Sequence, residues 1–149
     1  MILVFGRSGS GKDFLTQLFG CEKIQSYTTR EKRQEEINKS QEELTHTFVK
    51  SLDKVKLKKN DFWVARKFHY GVEYGATFSQ ALSSDIYVID PLGVEMFFAN
   101  LIDNGQKKFA DAVKVVNIRS PFYRRFFRMV SRDIKHLEKK TIKDIFNIE

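Results

Sequence analysis

The sequence predicts an α/β domain in which a parallel sheet is covered by helices on both faces. Two observations favour this class. Apolar segments of strand length, such as residues 1–5 and 86–89, alternate with amphipathic helical patterns, as expected for parallel strands joined by crossover helices. The 149 residues suffice for one domain with a hydrophobic core, and a hydrophobic content of 42% excludes a disordered chain.

The first strand leads directly into a glycine-rich loop. Residues 1–5 are followed by Gly6-Arg7-Ser8-Gly9-Ser10-Gly11-Lys12-Asp13, and apolar residues at 14, 15, 18 and 19 then indicate one face of a helix. Strand, loop and helix in this order match the phosphate-binding motif G-x-x-x-x-G-K-[ST], except that Asp13 replaces the final Ser or Thr. We therefore expect a P-loop whose backbone amides and Lys12 bind ATP. The expected ATP-binding residues are Arg7, Ser8, Gly9, Ser10, Gly11, Lys12 and Asp13.

The next part of the chain is more polar. Residues 24–27 predict a second strand of the same sheet, and residues 31–45 are charged without apolar periodicity, which indicates an exposed loop or short helix. A short strand is expected at residues 46–50. Two β segments, 61–68 and 71–78, meet around Tyr70-Gly71 and are followed by a short helix at residues 79–84.

Strand and helix patterns then resume. A third strand at residues 86–89 precedes a helix that Asn104-Gly105 ends, and a fourth strand at 113–118 precedes a helix opened by Pro121. The tail at 139–149 is either a final helix or contains a short last strand. These elements predict one domain, residues 1–149, whose core comprises about 1–30 and 81–149 and whose inserted subdomain comprises about 31–80.

A second anion site is expected beside the P-loop. Ser26-Tyr27-Thr28-Thr29-Arg30, followed by Arg33, lies at the C-terminal end of the second strand, and open α/β sheets bind ligands at that edge. Arginines bind phosphate bidentately, so Arg30 and Arg33 could hold a second phosphate group. The alternative is a surface turn with incidental arginines.

With these motifs the chain resembles the guanylate kinase family of nucleoside monophosphate (NMP) kinases. The resemblance covers most of the chain, and the motifs occur in the family's order. They are Gly6 to Lys12, Ser26-Tyr27-Thr28-Thr29-Arg30 with Arg33, Phe48-Val49, Tyr74-Gly75, Asp90 with Gly93, and Arg128-Met129-Val130-Ser131-Arg132. The resemblance implies a P-loop NTPase-type fold with a small NMP-binding subdomain and a short lid. It also implies ATP-dependent phosphoryl transfer to GMP, dGMP or a related (deoxy)nucleoside monophosphate.

The resemblance further implies a role for each matching residue. The acceptor nucleotide would contact Ser26, Arg30, Arg33, His46, Tyr74 and Asp90. Charge on the transferring group would be offset by Lys12, Arg30, Arg128 and Arg132, the last two from the lid. A carboxylate can coordinate Mg²⁺, and the cofactor Mg²⁺ would be held by Asp13 and Asp90.

The chain departs from the family mainly where the family reads guanine. Ala65 stands where the family has a guanine-reading Glu, Ala76 replaces a hydroxyl residue, and Val88 replaces the first acid of an Asp-x-Asp pair. On the phosphate side, Lys32 replaces the usual Pro and His46 replaces a Tyr. A different purine, a deoxynucleotide or a modified base therefore remains open as the acceptor.

Two other functions stay open. Asp13, Ala65 and Val88 favour a catalytically inactive guanylate-kinase-like interaction module, whereas Lys12 with the two arginines favours an enzyme. The other alternative is a small P-loop kinase with a non-nucleotide acceptor.

Composition bounds the partners and the compartment. The net charge of +7 indicates an anionic partner, but the lysines at 54–59 are typical of a solvated face, and no nucleic acid is expected. A single cysteine excludes an intrachain disulfide, and no apolar run is long enough for a membrane span. We therefore expect a cytoplasmic protein without a membrane partner, either a monomer or a homodimer.

Overall fold

The computed structural model describes residues 1–18 and 20–131, without the side chains of residues 13, 15, 17 and 35. The strands are β1 Ile2–Phe5, β2 Ser26–Thr28, β3 His46–Phe48, β4 Trp63–His69, β5 Val72–Thr77, β6 Ile86–Val88 and β7 Lys114–Asn117. The helices are α1 Lys12–Leu18, α2 Gln34–Ile37, α3 Phe78–Ser83, α4 Pro91–Asp103, α5 Lys107–Ala112 and α6, residues 122–131. Short 3₁₀ turns lie at Gln41–Glu43 and Leu52–Lys54.

A three-stranded parallel sheet has the order β6-β1-β7, which confirms a mixed α/β class with a parallel sheet. In β1, Leu3 pairs with Tyr87 of β6 and with Val115 of β7. Consecutive strand residues point to opposite faces. Because Leu3 and Val4 are both buried, both faces of this central strand are covered.

The remaining strands form a second, mixed sheet with the order β3-β2-β5-β4. Strand β2 is parallel to β3 and antiparallel to β5, and β4 and β5 form a hairpin across Tyr70 and Gly71. The prediction that residues 24–27 form a strand of the parallel sheet is therefore wrong in its placement. Beside the parallel sheet, Lys23 bridges to Ile86 of β6 and the Ile24 amide donates to the Ile86 carbonyl at 2.8 Å, and the chain then crosses to the second sheet at Ser26.

Helix α4 joins the two sheets into one core. Phe97 and Leu101 are fully buried in a cluster that includes Leu3 of the parallel sheet and Val64 of the mixed sheet. The Asn100 side chain also donates to the Val64 carbonyl at 3.1 Å. Asp90 begins the helix by accepting from the Gly93 amide. Asn104 ends the helix, as the sequence predicted.

Two expected buried faces are exposed. In α1, Phe14 and Leu18 are 65% and 66% exposed, and in α6 Phe122 and Phe126 are 72% and 48% exposed. Strand β7 is exposed along its whole length. Helix α5 was not predicted, and the tail at 139–149 lies outside the described residues. Within residues 1–18 and 20–131, no helix has the length and apolar character needed to span a bilayer.

Candidate functional site

A cavity of about 390 Å³ opens between the two sheets. The loop after β1 contributes Gly6, Ser8 and Lys12, and the other elements contribute Ser26, His46, Tyr74 and Asp90. Residues from five separate parts of the chain therefore converge on one concave space, and all seven were singled out from the sequence. Arg30 and Arg33 do not line this cavity.

The loop between β1 and α1 has the conformation that its glycines allow. Gly9 and Gly11 have φ angles of +75° and +93°, which side chains with a Cβ rarely adopt. The Lys12 ammonium donates to the carbonyl of Gly6 at 2.8 Å and to that of Arg7 at 3.2 Å. The loop thus holds the Lys12 ammonium against its own backbone, and Lys12 lines the cavity.

Helix α6 contacts the same loop from the other side. The Arg128 guanidinium donates to the Gly9 carbonyl at 3.1 Å, and a Cβ on Gly9 would come within 3.0 Å of the Arg125 carbonyl. One of the two predicted lid arginines is therefore at the loop in this structure. Arg132 lies outside the described residues.

The mixed sheet supplies neutral polar groups. Ser26 Oγ and His46 Nδ1 are 2.9 Å apart, as the pairing of β2 with β3 requires. The His46 and Tyr74 rings meet edge to face at 5.9 Å. Burial, with the charge of Arg30 nearby, lowers the pKa of His46 to about 4. His46 is therefore uncharged at neutral pH.

Arg30 is held by a carboxylate that the sequence analysis did not include. Its guanidinium donates to both Glu36 oxygens, at 2.7 and 2.8 Å, and lies 5.0 Å from the Phe48 ring centroid. The hydrogen bond from Arg30 outweighs the effect of burial and lowers the pKa of Glu36 to about 2. Glu36 also accepts from the Arg33 amide at 2.7 Å. This pair fixes the direction of Arg30, whereas the Arg33 side chain is exposed.

Asp90 is engaged through both of its oxygens. Oδ1 accepts from the Gly93 amide at 3.0 Å, and Oδ2 forms an ion pair with the Lys67 ammonium. Burial favours the neutral acid, but the hydrogen bonds from Lys67 and Gly93 prevail and lower the pKa of Asp90. The carboxylate is therefore ionised and partly neutralised by a lysine on β4.

A metal site of protein ligands alone is not formed by the described side chains, because no group of three or more His, Cys, Asp or Glu comes together among them. Mg²⁺ commonly needs only one or two carboxylates plus substrate phosphates. Asp90 fits such a site in its chemistry. The structure does not describe the side chain of Asp13, the other predicted Mg²⁺ ligand.

Sequence reasoning missed three charged residues at this site: Arg66 and Lys67 line the cavity, and Glu36 holds Arg30. Glu36 follows Arg33 by three residues, which is the spacing of a capping interaction at a helix start. Lys67 follows Ala65 by two residues in β4, so both point to the same face of the strand. The first spacing identifies Glu36 only when the start of helix α2 is known, and the second identifies Lys67 only when the register of β4 is known.

In comparisons with known proteins, no family model and no curated protein matches this chain. The features of this chain that point to a function are therefore the loop motif, the cavity and the charged pairs around it.

Proposed function

We propose that this protein is an ATP-dependent NMP kinase with a P-loop NTPase-type fold, similar to guanylate kinases. The observation that carries the proposal is the shared cavity: Lys12 of the glycine-rich loop faces the same space as Ser26, His46 and Tyr74. A phosphate donor at the loop and a phosphate acceptor at the mixed sheet would lie side by side in that space.

The donor would be bound mainly by the loop backbone. Successive amides in a glycine-rich loop, together with the N-terminus of the following helix, hold phosphate oxygens. Lys12 would move from the Gly6 and Arg7 carbonyls to the β- and γ-phosphates. Arg128, already bonded to the loop at Gly9, would approach the donor from the α6 side.

The acceptor would be a nucleoside monophosphate such as GMP, dGMP or a related (deoxy)nucleotide. Tyr74 would bind its phosphate, and Arg30, oriented by Glu36, would stabilise the negative charge nearby. Phosphoryl transfer needs positioning and charge neutralisation more than covalent chemistry. Mg²⁺, held by phosphates and a carboxylate such as Asp90, would supply Lewis-acid charge neutralisation.

A coupled assay of ADP release tests the proposal. Purified protein is incubated with Mg·ATP and a panel of ribo- and deoxynucleoside monophosphates. We expect acceptor-dependent turnover that Lys12→Ala lowers by about 10³-fold or more, because this cation acts on the transferring group. Lys59→Ala removes an exposed lysine far along the sequence from the loop and should leave turnover unchanged.

Two outcomes would contradict the proposal. Equal turnover in Lys12→Ala and the Lys59→Ala control would show that the glycine-rich loop takes no part in phosphoryl transfer. Binding of ATP and a monophosphate without any turnover would favour an inactive interaction module, in which the engaged Asp90 and Arg30 serve only to stabilise the fold.

A further inference from the structure

The cavity has a polar half and an apolar half that come from different elements. Lys12, Ser26, His46 and Tyr74 are contributed by the loop, β2, β3 and β5. The apolar side chains come from β4, β6 with the residue after it, and α4, through Ala65, Tyr87, Val88, Ile89 and Met96, although β4 also contributes Arg66, Lys67 and His69. A nucleoside monophosphate has the same division, because its phosphate is charged and its base is a flat apolar body with a polar edge.

The proposed function therefore places the base in the apolar half. The mixed sheet leaves room for a base on this side of the cavity, because Ala65 on β4 is paired with Ala76 on β5 and both side chains are small and buried. The charged groups that line this half of the cavity are Lys67, on the same face of β4 as Ala65, its partner Asp90 at the start of α4, and Arg66, which is already paired with Asp53 and Glu73.

This half of the cavity offers more donors than acceptors. Among the lining residues that the structure describes, Asp90 has the only carboxylate, and each of its oxygens already accepts a hydrogen bond. Lys67 carries three N–H donors, and Asp90 is its one hydrogen-bond partner within residues 1–18 and 20–131. The remaining donors can bond to a carbonyl oxygen on a ligand.

The bases differ in what they require of such a site. The pairing edge of guanine has an N–H and an amino group beside one carbonyl, whereas thymine and uracil have two carbonyls and a single N–H. Any base donor that enters this half of the cavity would compete with Lys67 and the Gly93 amide for Asp90, and guanine brings more donors than thymine or uracil. Unpaired polar groups in a closed site lower affinity.

We propose that the acceptor site selects a nucleoside monophosphate whose base is a pyrimidine-2,4-dione, thymine or uracil, through a hydrogen bond from Lys67 to a base carbonyl. This inference depends on the proposed kinase function and names its acceptor class. In this arrangement Asp90 keeps the Lys67 ammonium in place, and the single base N–H leaves fewer donors without an acceptor than guanine does.

Equilibrium binding of dTMP, dUMP, dIMP and dGMP to the wild-type protein tests this, for example by isothermal titration calorimetry. We expect dTMP and dUMP to bind about tenfold or more tightly than dGMP, since the guanine amino group lacks an acceptor. The purine dIMP differs from dGMP only by that amino group, so it should bind more tightly than dGMP.

A matched pair of variants locates the effect. Lys67→Met keeps the length of the side chain but removes its donors and leaves Asp90 able to accept, so it should weaken dTMP binding about tenfold and strengthen dGMP binding. Lys56→Met replaces an exposed lysine outside the cavity and should change neither.

Each alternative result has a distinct meaning. If dGMP binds the wild-type protein as tightly as dTMP, or if Lys67→Met weakens every nucleotide equally, the base assignment is wrong while the kinase proposal stands. Because the wild-type comparison needs no variant, a poorly folded Lys67→Met protein would not leave the question open. If ATP binds but no monophosphate does, both proposals fail.

Discussion

The two sheets border the same cavity but are stabilised by different interactions. In the parallel sheet, Leu3, Ile86 and Tyr87 are buried, and Leu3 and Tyr87 belong to one core cluster with Phe97 of α4. Around the mixed sheet, three arginine or lysine side chains pair with carboxylates: Arg30 with Glu36, Arg66 with Asp53 and Glu73, and Lys67 with Asp90. Apolar burial does not depend on pH, whereas ion pairs depend on pH and salt. We therefore expect pH and salt to act on the mixed-sheet side of the cavity.

The largest loss of stability should follow from Phe97→Ala. The Phe97 side chain is fully buried where α4 meets both sheets. Removing a buried phenyl ring costs about 3–5 kcal/mol of unfolding free energy. Urea denaturation at two pH values should show the same loss at both. Phe122→Ala is the control, because that side chain is 72% exposed; a similar cost there would contradict the burial argument.

Glu36→Gln should be the most costly change among the ion pairs. The Arg30 and Glu36 side chains are 14% and 9% exposed, and loss of the carboxylate charge leaves a largely buried guanidinium without its partner. We expect a loss of about 3 kcal/mol in unfolding free energy, measured by urea denaturation at neutral pH. Glu42→Gln, at an exposed position of the same segment, should have little effect. Equal losses in both variants would show that the pair contributes nothing specific.

Acidification should destabilise the protein through His46. Its pKa is lowered to about 4 from an ordinary value of 6.5, so between these values the unfolded chain binds a proton that the folded protein does not. Stability is therefore complete above pH 6.5 and is lost as pH falls toward 4, by about 2 kcal/mol at about pH 5. His46→Gln should remove this dependence, and His69→Gln, at an exposed position, should keep it. A flat profile for the wild-type protein would contradict the assignment.

A second acid transition should follow at lower pH. The pKa of Glu36 is lowered to about 2 from 4.5 by the hydrogen bond from Arg30. The stabilisation from this carboxylate is present above pH 4.5 and is lost as pH falls through about 2. Glu36→Gln should therefore change the profile mainly below pH 4.5, whereas His46→Gln acts mainly between pH 6.5 and 4, which separates the two groups in one titration series.

The features predicted from the sequence are those determined by neighbouring residues. The glycine-rich loop, the end of α4 at Asn104 and the turn at Tyr70-Gly71, where both residues have positive φ, depend on a few consecutive side chains. Local patterns of this kind can be recognised without knowledge of the rest of the fold. The same holds for the residues that the loop contributes to the cavity.

The features that were missed depend on distant partners. Nothing near Ser26 in the sequence indicates that its strand pairs with β3 and β5 rather than with β1. The contact of Lys67 with Asp90 joins residues 23 positions apart, and it requires both the β4–β5 register and the position of α4. The apolar residues of β7 and α6 suggested burial, but their periodicity does not show what covers them.

The smallest expected effect concerns Arg66, and it tests whether exposure determines the strength of these pairs. Arg66 contacts Asp53 and Glu73 at 2.8 and 2.7 Å, but its side chain is 33% exposed. Exposed pairs contribute about 0–1 kcal/mol and weaken with salt. Arg66→Met, which keeps an apolar chain near Trp63, should therefore cost about 1 kcal/mol or less, and the difference from wild type in urea denaturation should shrink at high salt. A loss as large as that of Glu36→Gln would show that geometry outweighs exposure in this sheet.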